Sequence, residues 1–450
     1  MDINLRLRKL LVLLIFSFLI SCNDESDYVS IEGYTKTDQL LETKLLSLAT
    51  DLDYFILPSN TDYINIPADP NNPITEAKVN LGKLLFNETG IGLASLSDSN
   101  KETYSCASCH HSAAGFQSGI QQGIGEGGMG FGVQGESRIA NPLFVDSLDV
   151  QPIRSPTVLN VAYQKLMLWN GQFGATDANI GTEENWTEGT PKAINFLGFE
   201  GVEIQAIAGL SVHRMMLDKD FCDTNSYTTL FDDAFSNIDI SERYSLETAG
   251  LAIAAYERTL LATNTNFQNW LKGDASAMTE NEKEGAILFF GKAKCYECHT
   301  GPALNSEAFY GLGMNDLAGA DVHGVIDDAT KKGRGGFTND ANDYYKFKVP
   351  QLYNLADVKF FGHGGNFSTV REIIVYKNNA VRENDNVPTR SLSDKFVPLG
   401  LTEEEIDLMT VFIEKSLYDN NLKRYDPLSL PTGFCFPNAD VTSKSDMNCD

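Results

Sequence analysis

The chain has 450 residues, 42% of them hydrophobic, with 61 acidic against 35 basic side chains and a formal charge of −26. That length allows two domains with separate cores. The acid excess makes nucleic acid and anionic membrane surfaces poor partners; it fits a small basic redox protein, or serves only to keep a surface protein soluble.

In chain order, Arg6, Arg8 and Lys9 precede an apolar run, Leu10 to Ile20, too short for a mature membrane span but suited to a signal peptide. It ends Leu19-Ile20-Ser21-Cys22, which resembles a bacterial lipobox, so residues 1–21 are expected to be cleaved and Cys22 lipidated. The expected location is a periplasmic or cell-surface lipoprotein, outer-membrane anchored, touching the membrane only through its lipid. Asn23-Asp24-Glu25 resembles the acidic export signal of some surface lipoproteins. Residues 22–70 read as a tether with one amphipathic docking helix, Asp38 to Leu52.

A helix is predicted from Thr75 to Phe86, carrying Val79, Leu81, Leu84 and Leu85 toward Cys106-Ala-Ser-Cys109-His110. The same Cys-x-x-Cys-His pattern returns at Cys295-Tyr-Glu-Cys298-His299. Two thiols at this spacing can add to the two vinyl groups of one haem while the adjacent imidazole ligates its iron, so two covalent haems c are the direct reading, over zinc knuckles or disulfides. Gly115 to Gly135 holds nine glycines and is expected to be an irregular loop near the first haem. Ala175 to Lys192 reads as a polar surface insertion. Helices are predicted at Leu246–Leu261, at Thr279–Phe290 with Thr279 as N-cap, and at Leu401–Leu417 capped by Thr402. Of the remaining cysteines, Cys435 and Cys449 could close a tail loop, with Cys222 free or pairing with either. The expected fold is mainly α: two cytochrome c-like domains, each with one haem c, and long loops. The expected divisions are an N-terminal haem domain at 71–243, a C-terminal one at 244–425 and a tail at 426–450.

These residues also carry a family resemblance. Val79-x-Leu81-Gly82-x-Leu84-Leu85-Phe86, the first haem motif, Ser155-Pro156-Thr157-Val158-Leu159-Asn160 and Trp169-Asn170-Gly171 resemble the N-terminal half of the bacterial di-haem cytochrome c peroxidases, MauG-like enzymes included. Ala255-Tyr256-Glu257-Arg258-Thr259-Leu260, Gly285-x-x-Leu288-Phe289, the second haem motif, Pro350-x-Leu352-x-Asn354 and His363-Gly364-Gly365 resemble the second half, so the likeness spans about residues 75 to 420. It implies hydrogen peroxide reduced to water at the N-terminal haem, with electrons from a small cytochrome c or similar donor entering at the C-terminal haem. It also implies His110 and His299 as proximal ligands, Trp169 as relay, Gln205 as a distal residue and His363 as a haem-binding residue.

Four departures from the family pattern matter. The family's distal glutamate, directly before Met, is missing: the chain reads His213-Arg214-Met215, and either His213 or Arg214 is expected to replace it, with His213 as acid/base. No histidine stands between His111 and His213 to close the first iron, adjacent His111 is badly placed to do so, and Met129 is the one soft candidate. An open iron needing no reductive activation is therefore expected. The sixth-ligand position of the second haem falls at Lys377, beside Tyr376, so Tyr376 and Met314 are the candidates, with Lys377 behind them. Arg154 stands where the family has a calcium-ligating asparagine, and its guanidinium could fill the cation's place. Alternatives to the peroxidase reading are a MauG-like oxidase of a protein or organic substrate and a di-haem electron carrier without catalysis. A homodimer is compatible with the sequence.

Overall fold

Five of the helices begin at a side chain that caps them. In the computed structural model, which describes residues 33–449, Thr75 caps α2 (Glu76–Asn87), Ser245 caps α4 (Leu246–Arg258) and Thr279 caps α5 (Glu280–Phe290). Thr369 caps α6 (Val370–Asn379), and Thr402 caps α7 (Glu403–Val411), which runs on as a π turn to Ser416. Thr279, Thr369 and Thr402 each pair with a glutamate three residues on, so orphan N–H groups at both ends of the box are satisfied. The helix α1 spans Lys36–Leu46, and α3 (Gly201–Val212) starts at Glu200 without a side-chain cap bond.

The helices form two groups within one compact unit, Lys36–Asp450. In the first, α2 and α3 pack against α4; in the second, α5 packs against α7, with α1 on α5 and α6 on α7. The helix α4 thus sits with the elements of the N-terminal motif. Both groups depend on a glycine in the helix that leads to a haem motif. A Cβ on Gly82 would stand 1.9 Å from Ala252 O, and one on Gly285 would stand 2.1 Å from Leu408 O. Any side chain there would force α2 from α4, or α5 from α7.

The N-terminal helix α1 is tied down by a buried charge. Asp38 accepts from Trp270 Nε1 at 2.6 Å and pairs with Lys283 on α5 at 2.8 Å. Lys283 is buried, so the pair satisfies two charges that would otherwise cost several kcal/mol to desolvate. Strands are few: β1 (Gly128–Met129) pairs antiparallel with β2 (Ile139–Ala140), and β3 (Ser306–Tyr310) with β4 (Phe347–Val349). The second pair, in the register Tyr310↔Phe347 and Phe309↔Lys348, carries a wall of the cavity described below.

The tail forms a strap over the first motif. Cys435 and Cys449 are disulfide-bonded, and Cys222 is buried and free. Ser105 and Ser108 Oγ both donate to Pro437 O, and Ala439 N donates to Thr103 O. From α8 (Val441–Met447), Asp446 accepts from Phe131 N and Gly132 N. The leader, Asn23-Asp24-Glu25 and Cys22 lie outside the described residues. No helix among the described residues is long and apolar enough to cross a membrane.

Candidate functional site

The two Cys-x-x-Cys-His segments have the same local geometry. Each begins with a single 3₁₀ turn, Cys106–Ser108 and Cys295–Glu297. In each, the carbonyl of the first cysteine accepts from the second cysteine and from the histidine: Cys109 N and His110 N on Cys106 O at 3.2 Å, Cys298 N and His299 N on Cys295 O at 3.1 and 3.0 Å. Each histidine then turns Nδ1 toward a carbonyl a few residues on, His110 to Phe116 O at 3.4 Å and His299 to Leu304 O at 3.1 Å. A donor at Nδ1 fixes the tautomer that leaves Nε2 for a metal. Burial lowers both imidazoles to about 4, so both are neutral. All four thiols are unpaired, and burial raises Cys106, Cys109 and Cys295 to about 12.

Around the second motif lies a cavity of about 380 Å³ with mainly apolar walls. Cys295, Cys298, His299, Met314, Trp169 and His363 all line it. His363 stacks on Phe347 with ring centroids 3.7 Å apart, and its buried Nε2, 3.5 Å from Asp316 Oδ1, makes no hydrogen bond. An apolar slot with two thiols, a tautomer-fixed imidazole and an unpartnered ring nitrogen fits haem c. Of the sixth-ligand candidates, Met314 and Lys377 line this cavity. Tyr376 packs between Phe367 and Phe396, and its hydroxyl donates to Leu312 O at 2.5 Å. Burial lowers Lys377, with the nearby Cys298 and Cys295 acting against that.

Trp169 is held on the cavity wall. Its Nε1 donates to Arg154 O at 2.8 Å, Arg154 N donates to His363 O at 3.0 Å, and the Trp169 and His363 rings lie 6.4 Å apart. The Arg154 side chain turns the other way, into the glycine loop. Its guanidinium donates to Ile120 O, Gln121 O, Ser118 O and Gln117 Oε1 at 2.9–3.4 Å. A second buried guanidinium, Arg138, donates to Ile124 O at 2.6 Å and Gly125 O at 2.7 Å and reaches Asp440 of the tail. The loop is irregular because its buried carbonyls face these two cations rather than a helix or sheet ladder.

At the first motif, α3 presents Gln205, Gly209 and His213 on one face: a Cβ on Gly209 would lie 3.4 Å from Gln205 Nε2 and 3.9 Å from His213 Cδ2. Gln205 Oε1 is buried without a partner, as is Oε2 of Glu257, whose carboxyl is raised to about 8 by burial and by Glu203. His213 is close enough to His110 for its charge to act there. Two free thiols, a neutral imidazole and orphaned polar atoms at this motif fit a haem c here as well. Arg214 follows His213 with a left-handed backbone, φ 56°, which splits the two side chains to separate partners. His213 Nδ1 lies 2.7 Å from Asp149 Oδ2, and Arg214 Nη1 lies 2.5 Å from Glu126 Oε2. Burial alone would lower the His213 imidazole; the Asp149 carboxylate outweighs it and holds the ring above its ordinary value.

His111 is buried with its ring against Phe131, 5.0 Å away, and next to Gly135. Met129 belongs to β1 in the same loop. The sequence reading missed Asp149, Glu126 and Arg138. A lone glutamate inside Gly125-Glu126-Gly127-Gly128 was the signal for Glu126; Asp149 had none.

Comparison with known proteins agrees with this geometry. Residues 76–276 match the family model for di-haem cytochrome c peroxidase. Cytochrome-c peroxidase IdrP1 of Denitromonas iodatirespirans is 28% identical over 80% of this chain and 87% of its own length. Methylamine utilization protein MauG of Methylorubrum extorquens is 26% identical over 78% of this chain and 81% of its own. The crystal structure of a MauG-like protein associated with microbial copper homeostasis superposes with a TM-score of 0.53 at 23% identity, over 81% of this chain and 95% of that one, a likeness of fold. Alignments of such length run through both Cys-x-x-Cys-His motifs, and along them the chain is similar to the di-haem cytochrome c peroxidases and MauG.

Proposed function

We propose that this protein is a di-haem peroxidase that reduces hydrogen peroxide to water, with peroxide reacting at the N-terminal motif and electrons entering at the C-terminal one. The observation that carries the reading is His213, near His110 of the N-terminal motif and on the face of α3 that also bears Gln205, with Arg214 next to it in the chain. When bound, haem supplies the one-electron redox chemistry. Peroxide takes up two electrons and two protons and leaves as two waters; the chain's part is to move the protons and stabilise the charge that builds on the departing oxygen. Neutral His213 takes the proton from the near oxygen and returns it to the far one, while the Arg214 guanidinium stabilises the negative charge. Trp169, tied to both Arg154 and His363, is the relay between the halves.

The acidic chain suits a basic cytochrome c as donor, and a lipid on Cys22 would hold the enzyme at the membrane facing the periplasm or the outside. The haem-bearing halves correspond to the two helix groups, with α4 on the N-terminal side. The test is steady-state oxidation of reduced cytochrome c by peroxide, using holoprotein from residue 23 that was never pre-reduced. Turnover without pre-reduction is expected, because His111 is packed into the glycine loop; no turnover even after pre-reduction would favour a MauG-like oxidase or an electron carrier.

For the C-terminal haem, Met314 is the proposed sixth ligand, since Tyr376 has its hydroxyl engaged and Lys377 would have to lose a proton to bind. Met314→Ala is expected to lower the potential of that haem, as loss of a thioether ligand does, and Tyr376→Phe to leave it in place. Redox titration checks both; a potential unmoved by Met314→Ala rules the thioether out.

A further inference from the structure

We propose that Asp149 and Glu126 are positioning residues that hold His213 and Arg214 at the N-terminal haem site. This rests on the reading of His213 and Arg214 as the distal pair, and adds the groups that place them. The two carboxylates come from segments far apart in the chain that meet as a short antiparallel pairing. Ile124 bridges Val150, Gly125 N donates to Asp149 O at 2.9 Å, and Asp149 N donates to Glu126 O at 2.9 Å. This sets the carboxylates side by side, one under each member of the His213-Arg214 pair.

Both carboxylates are buried, and Glu126 also accepts from Ser97 N at 3.2 Å. His213 keeps about a third of its side chain exposed and Arg214 a quarter, so each side chain reaches outward from a buried carboxylate. That is the geometry of an oriented acid/base: a carboxylate on Nδ1 fixes the tautomer and aims Nε2 away from itself. The glycine loop has a part in this. A Cβ on Gly125 would stand 2.4 Å from Asp149 Oδ2, so only glycine at 125 lets the carboxylate lie under His213. The charged and titratable groups around His213 are Asp149, Arg214 with its Glu126, His110, and Tyr104, whose hydroxyl donates to Arg214 O.

The experiment compares Asp149→Asn, Gly125→Ala, Glu126→Gln and His213→Ala holoproteins with wild type. It reads the pH profile of kcat and KM for peroxide and, independently of turnover, the pH dependence of fluoride binding to the ferric N-terminal haem, which reports the proton on the distal group. In Asp149→Asn both profiles are expected to move to lower pH by about one unit or more, with kcat down on the order of tenfold. Gly125→Ala, which changes no charge, should move them the same way by less, and supplies the readout if Asp149→Asn does not fold. Glu126→Gln should raise KM for peroxide without moving the pH profile. Profiles superimposable on wild type in both Asp149→Asn and Gly125→Ala would overturn the proposal, as would lost activity with neither profile shifted. If His213→Ala turns over at the wild-type rate, the distal reading fails and the proposal with it; if His213→Ala is inactive while Asp149→Asn keeps its profiles, only the positioning role fails.

Discussion

His213→Ala is expected to lower kcat for peroxide by roughly 100- to 10,000-fold, the range that a positioned general acid/base contributes. The imidazole is the one group on this face of α3 that can both accept and return a proton, because the nearby Arg214 side chain carries donors only and the Gln205 amide is neither acid nor base. The sign of its pH dependence follows from Asp149. The carboxylate holds His213 above the usual imidazole value near 6.5, and a base acts only when unprotonated. Activity should therefore fall on acidification through a limb that lies above that value. Steady-state kinetics from acid to mildly alkaline pH checks both statements. Wild-type turnover in His213→Ala, or an acid limb unchanged in it, would remove His213 from the reaction.

Arg154→Ala should have the largest effect on stability, about 3 kcal/mol or more, because each buried acceptor left unpaired costs about 1–3 kcal/mol. Arg154 is 1% exposed, and its guanidinium is the donor for oxygens of Gln117, Ser118, Ile120 and Gln121. Burial lowers its basicity, and the oxygens around it are neutral, the donor set one would expect around a bound cation. Arg154→Lys should not restore stability, since one ammonium cannot span oxygens that a planar fork reaches on two edges. Denaturant midpoints of the three proteins measure this. Because the guanidinium already serves those oxygens, EDTA should leave wild-type stability and turnover unchanged; a fall on chelation that calcium reverses would show that the guanidinium does not replace a metal.

Much of the fold was legible because it rests on local signals. Thr279 and Thr402 stand at helix starts legible from capping chemistry, Thr75 at one legible from apolar spacing, and the helices behind Thr75 and Thr279 end within a residue of expectation. The helix expected at Leu401–Leu417 runs from Glu403 to Ser416 with its last turn a π segment, and the one from Leu246 stops at Arg258, short of Leu261. The helix α3 went unread although it carries the candidate distal residues. It is apolar nearly all round, being buried on most faces, so it lacks the one-sided periodicity that marks a surface helix. The Cys435–Cys449 loop was one of several pairings the sequence allowed, and Cys222 is left free because those two cysteines are bonded to each other.

The sequence by itself determined the two Cys-x-x-Cys-His motifs, the absence of a glutamate before Met215 and the arginine at 154, because each is a matter of residue type at a set spacing along the chain. Only the tertiary structure decided which anions hold His213 and Arg214, which side chains face the cavity beside His299, and what the glycine loop encloses. Those contacts join segments far apart in sequence: Asp149 to His213, Glu126 to Arg214, Arg154 to the carbonyls at 118–121. A carboxylate's role depends on what it faces, and that is settled when backbone pairing and packing bring distant segments within hydrogen-bond reach.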